Sequence, residues 1–135
     1  MDGTIVDTEP FWMRAEAAMV ESFGGSWTEA DGLNLVGRGL EDSAEILRAA
    51  GVRREVDDIV QSLTDDVTGA LLAEGALFRP GAVDLMRSLK VAGVPQGLVT
   101  MSLRRMADAV IEQIGFDTFD VIITGDIATR AKPHP

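Results

Sequence analysis

The chain has no cysteine, no tyrosine and a single histidine among its 135 residues. Without cysteine there is no disulfide framework, no thiolate metal site and no thiol nucleophile. Positive charge is also scarce: 12 Lys and Arg stand against 22 Asp and Glu, a formal charge of −10. Recognition of nucleic acid or of an anionic membrane surface needs clustered Lys and Arg, so both function classes are excluded. No apolar run reaches the length of a membrane span, and residues 1–10 show no basic segment of the kind that opens a signal peptide. A cytoplasmic location is the expectation. A shortage of cations does not exclude a phosphate ester as ligand, because charges beyond ~10 Å are screened and a few close donors decide.

A hydrophobic fraction of 46% with 25% charged residues is that of a globular chain rather than a disordered one. Residues 11–78 read as helical. Phe11, Ala15, Ala18, Met19, Ser22 and Phe23 recur at helical spacing before Gly24-Gly25. A second helix opens near Glu41-Asp42, turns Ile46 and Leu47 inward and stops at Gly51. A third carries Ile59, Leu63, Val67 and Leu71 as one stripe and ends before Gly75. After residue 78 the pattern changes. Pro80-Gly81 opens a helix with Leu85, Met86 and Leu89 as its predicted buried face, followed by the apolar run Gly97-Leu98-Val99-Thr100. A helix with Met106, Val110 and Ile114 closes at Gly115, and a second apolar run covers Phe119–Thr124. Helix, strand, helix, strand with short connections predicts a parallel α/β sheet.

The opening Met1-Asp2-Gly3-Thr4-Ile5-Val6-Asp7-Thr8-Glu9 is an acid, a tight Gly turn, a short apolar step and a second acidic cluster. It resembles the first motif of the haloacid dehalogenase superfamily, an apolar strand followed by Asp-x-Asp-Gly-Thr-x-x-Asp-Thr-Glu. Met1 falls on the x and Asp2 on the second aspartate, so the resemblance places the family's nucleophile just before residue 1. Thr100, at the end of the "GLVT" strand, matches the family's phosphate-binding hydroxyl, and Lys132 in "KPHP" matches its charge-neutralising lysine. Each alone has a plainer reading, as a turn, a strand-end hydroxyl and a stiff loop. Together, in this order, they are specific.

The resemblance implies a partial Rossmann-like core at residues 1–12 and 79–135, with a small helical cap inserted at 13–78. It implies hydrolysis of a small phosphorylated metabolite through an aspartyl-phosphate, with Asp2 as general acid and base. Thr100 and Lys132 would then stabilise the transferring phosphoryl group, aided by amides near Gly3 and Thr4. Mg²⁺ would be held partly by the Asp2 backbone carbonyl. Ser102 and Arg104 follow Thr100 closely enough to reach substrate, with helix capping the other reading of Ser102. His134 reads as exposed loop.

The pattern also departs from the family. The first strand, expected between its neighbours in the sheet, is missing, as is the fourth, acidic motif after Pro135. The chain is therefore expected to be a fragment with no more than trace phosphatase activity, and to self-associate through an incomplete sheet. Among branches, the motif is similar to phosphoglycolate and sugar-phosphate phosphatases. The β-phosphoglucomutase branch also resembles residues 35–43, but its cap arginine falls on Leu40 and its cap histidine on Trp12. Arg38, two positions away, is a candidate substrate contact. A degenerate, non-catalytic binding domain is the reading from a different class.

Overall fold

The structure, a computed structural model, describes residues 1–128. In chain order it contains α1 (Glu9–Ser22), α2 (Glu29–Leu33), α3 (Leu40–Ala49), α4 (Val56–Glu74), α5 (Ala82–Val91), β1 (Gly97–Val99), α6 (Arg104–Ile114) and β2 (Val121–Ile123). No helix among the described residues is long and apolar enough to cross a membrane.

The strands form a two-stranded parallel sheet in which Gly97, Leu98 and Val99 face Val121, Ile122 and Ile123. They pair directly, with no gap for a strand between them. The right-handed crossover logic of parallel sheets requires a connecting helix, and α6 supplies it. Gly115 ends α6 in the left-handed conformation at φ 78°, which glycine adopts without steric cost.

The predicted stripe of α4 is present: Ile59, Leu63, Val67 and Leu71 are each 3% exposed or less. The helix α4 packs against α1, α3 and α6. Helical and α/β stretches consequently share one hydrophobic cluster, running from Phe11 and Val20 through Leu63 to Leu98, Met106 and Val110. Gln113 of α6 fastens the join. Its side-chain carbonyl accepts the Ala76 N–H at 2.6 Å, and its amide donates to the Leu71 carbonyl at 3.2 Å, in the last turn of α4. The Leu71 carbonyl also accepts the Gly75 N–H at 3.0 Å, so Gln113 adds a second bond to a carbonyl already engaged at the end of α4. Two chain crossings link the stretches: Asp7 N–H donates to the Leu77 carbonyl and Arg79 N–H to the Ile5 carbonyl, both at 2.8 Å.

Several sequence expectations fail locally. Leu85 is 60% exposed, and only Met86 of its predicted face is buried, because a sheet of two three-residue strands is too narrow to cover the whole of α5. Ala18 and Ser22 also lie outward on α1. The helix α2 has no counterpart in the sequence reading, although Thr28 and Asp31 make a reciprocal capping box at its start.

Candidate active site

Asp2 precedes a tight turn in which Gly3 takes φ +70° and donates its N–H to the Val6 carbonyl at 2.8 Å. The turn buries Val6 completely and brings Thr8 back beside Asp2. Thr8 occupies the cap position of α1, yet makes no capping bond; its hydroxyl donates to Asp2 Oδ1 at 2.6 Å. A forgone cap costs about 1 kcal/mol, so this threonine serves the carboxylate at the helix's expense.

The second half of the site comes from the carboxyl ends of the strands, where open α/β sheets present ligand-binding groups. Thr100 extends the ladder by donating its N–H to the Ile123 carbonyl at 2.9 Å. Its hydroxyl accepts the Ser102 N–H at 3.1 Å and donates to Ser102 Oγ at 3.0 Å. Ser102 Oγ in turn donates to Asp2 Oδ2 at 2.6 Å. Both carboxylate oxygens thus accept a short hydroxyl bond, and a buried chain of hydroxyls runs from Thr100 to Asp2. Ser102 does not cap α6; Leu103 holds that position.

The loops after the two strands lie against each other at Gly125, whose N–H donates to the Ser102 carbonyl at 3.0 Å. A Cβ at position 125 would lie 2.1 Å from the Met101 carbonyl oxygen, so only glycine allows this approach.

Asp2, Thr100 and Ser102 open on a cavity of about 240 Å³ between the strand ends and the helices. Trp12 and Glu16 of α1, Leu40 and Ser43 of α3, and the Gly37-Arg38-Gly39 loop are among the residues of its wall. The Arg38 guanidinium donates to the Asn34 carbonyl at 2.7 Å and to Asn34 Oδ1 at 3.3 Å, which anchors the loop to the end of α2. Leu40 and Trp12 line the cavity where the mutase branch was expected to carry its arginine and histidine.

Other sequence candidates lie elsewhere. Gly3 and Thr4 are exposed, do not line the cavity, and have their N–H groups committed to Val6 and Met1 carbonyls within the turn. Arg104 is outside the cavity lining and pairs with Asp108 at 2.8 Å. Lys132 and His134 fall outside the described residues.

Two acids escaped the sequence reading. Glu9 and Glu16 both line the cavity. Burial, then the charges of Asp2 and Asp7, push the Glu9 carboxyl up. Glu16 is 6% exposed, and burial followed by the nearby Glu9 charge pushes it up to about 7. The signal was present: Glu9, Trp12 and Glu16 stand three and four positions apart, on one face of α1.

Among the described residues, no group of three or more carboxylate or imidazole side chains gathers to hold a metal ion. Asp2 alone does not make a magnesium site, and its carboxylate is engaged by two hydroxyls.

The sequence pattern of the haloacid dehalogenase-like hydrolases matches residues 1–135. The chain belongs to this family. It is 30% identical to a phosphoglycolate phosphatase of Caulobacter vibrioides over 139 residues, which is 98% of this chain and 58% of that protein. It is 26% identical to a phosphorylated carbohydrates phosphatase of Thermotoga maritima, across 100% of this chain and 63% of that protein. Among solved members, CbbY from Rhodobacter sphaeroides in complex with phosphate superposes with a TM-score of 0.84 at 26% identity, covering 98% of this chain and 64% of that one. The chain therefore spans less than two thirds of the length of these haloacid dehalogenase-like relatives. The two parallel strands with a helical layer are a partial Rossmann-like fold of the family's kind.

Proposed function

We propose that the chain carries the phosphate-gripping and capping part of a phosphoric monoester hydrolase for a small phosphorylated metabolite. The observation that carries this reading is the convergence of Asp2 with Thr100 and Ser102, the last 100 residues away in sequence, on one cavity. Asp2 is the general acid and base: a carboxylate held by two hydroxyls has one orientation and is poised to give or take a proton at its open edge. Thr100 and Ser102 orient the phosphoryl group, exchanging part of their mutual hydrogen bonding for contact with its oxygens. Residues 13–78 act as the cap, closing the site from water through α1, α3 and the Gly37–Gly39 loop. By its place in the motif, Lys132 is the candidate source of positive charge for the phosphate, and Mg²⁺, which phosphatases of this family generally use, would need ligands beyond Asp2.

The hydrolase reading is favoured over the phosphosugar mutase because Leu40 and Trp12 offer no cationic grip for a second phosphate. Titration with inorganic phosphate, followed by ³¹P NMR, tests the grip. Thr100→Val keeps the shape and removes the hydroxyl, and is expected to weaken phosphate binding about 5-fold or more. Phosphate binding that is absent, or indifferent to this change, would overturn the proposal.

A further inference from the structure

Thr100 and Ser102, which would meet the phosphate, are only 3% and 6% exposed within the cavity. Entry of a ligand to groups so buried depends on which part of the wall moves. The helical stretch is poorly suited to tilt away as one body, because α4 is built into the core shared with α6. Leu63, Val67 and Leu71 of α4 lie in one buried cluster with Met106 and Val110 of α6. Parting the two helices would return all of these side chains to water. Polar ties cross the same interface. Arg105 Nε donates to Asp65 Oδ1 at 2.7 Å and its Nη2 to the Gln61 carbonyl at 3.0 Å, while Gln113 holds Ala76 and Leu71.

The loop between α2 and α3 is built differently. Leu35 to Leu40 form a continuous stretch of the cavity wall. Asn34, Leu35, Val36 and Arg38 donate their N–H groups to carbonyls three or four positions back, and the Arg38 guanidinium folds onto Asn34. These bonds are local and can travel with the loop. Leu35 is the only buried residue from 34 to 39. Gly37, at φ +80°, and Gly39, the cap of α3, permit backbone rotations that other residues resist.

Resting on the capping part of the reading above, we infer that Asn34–Gly39 is the gate of the cavity. Leu35 is its plug, and the gate opens while α4 stays packed on α6. Opening exposes one leucine, whereas tilting the helical stretch exposes a helix interface, so the loop opens far more often.

The chain has no cysteine, so a pair introduced as Asp65→Cys and Arg105→Cys can be bridged specifically by a short bis-maleimide, pinning α4 to α6. Exchange of inorganic phosphate is then followed by ³¹P NMR line shape. Bridging is expected to change the exchange rate by less than about 2-fold, whereas Leu35→Ala should raise it about 10-fold or more. Amide hydrogen exchange gives a readout without phosphate. Leu35, Val36 and Arg38 should be protected at least about 100-fold less than Leu63 and Val67, before and after bridging. Phosphate exchange stopped by the bridge, a rate unmoved by Leu35→Ala, or loop amides as protected as those of α4 overturns the gate. Where Leu35→Ala fails to fold, the bridge and the amides decide. Absence of phosphate binding overturns the proposed function instead, and the amide comparison alone then decides the gate.

Discussion

Ser102 donates its hydroxyl to Asp2 Oδ2 at 2.6 Å across a sequence separation of 100 residues. This bond ties the first turn of the chain to the loop after β1. It makes the geometry of the site a property of the whole fold, since neither residue is placed by its own neighbours alone.

A double-mutant cycle measures that tie. Asp2→Ala and Ser102→Ala should each destabilise the chain, with a coupling of about 1 kcal/mol between them. Urea denaturation of the four proteins reads it. Additive effects would show that the bond contributes nothing to the folded state.

Gly125→Ala should be costly although it adds one methyl group. The Cβ would stand 2.1 Å from the Met101 carbonyl oxygen, which is backbone and cannot rotate away. We expect a loss of about 2 kcal/mol from overpacking, together with weaker phosphate binding because the Ser102 loop must move. Thermal unfolding and phosphate titration check the two parts separately.

Adjacent leucines near the end of α4 should behave oppositely. Leu71 is fully buried, whereas Leu72 is 58% exposed. Leu71→Ala is expected to cost about 2–5 kcal/mol through the cavity it leaves, and Leu72→Ala about 0.5 kcal/mol or less. Chemical denaturation of both variants decides whether the shared core is assembled as described.

Stability should fall as pH rises through the range set by Glu16. Its carboxyl is pushed from 4.5 to about 7 in the folded chain, so between those values the folded state holds a proton that the unfolded state has released. Below this window Glu16 imposes no penalty; above it the penalty is constant, on the order of 2 kcal/mol after allowance for solvent screening. Glu16→Gln should therefore raise the melting temperature at pH 8 and leave it nearly unchanged at pH 4. Equal gains at both pH values would show that ionisation of Glu16 is not the cause.

Much of the secondary structure was legible because it is written in local periodicity. The Ile59–Leu71 stripe, the Gly115 stop and the two apolar runs each depend on side chains within a few positions of one another, and each appears where the pattern predicts. Leu85 shows the limit: periodicity says which residues would prefer cover, but whether cover exists depends on the width of a sheet made elsewhere in the chain. The capping box at Thr28 was readable in principle, but a helix of five residues is too short to produce a periodic signal.

The site divides in the same way. The sequence by itself carried the family resemblance, named Asp2 and Thr100 as candidates, left Ser102 between substrate contact and helix cap, and showed the scarcity of positive charge, because motifs and composition are properties of residue order. Tertiary structure alone decided that Thr8 turns from its helix to Asp2, that Ser102 bonds a carboxylate instead of capping α6, and that Glu16 is buried at the cavity wall. Hydrogen-bond partners and desolvation are set by what lies within a few ångströms in space, and a linear pattern carries no record of that distance.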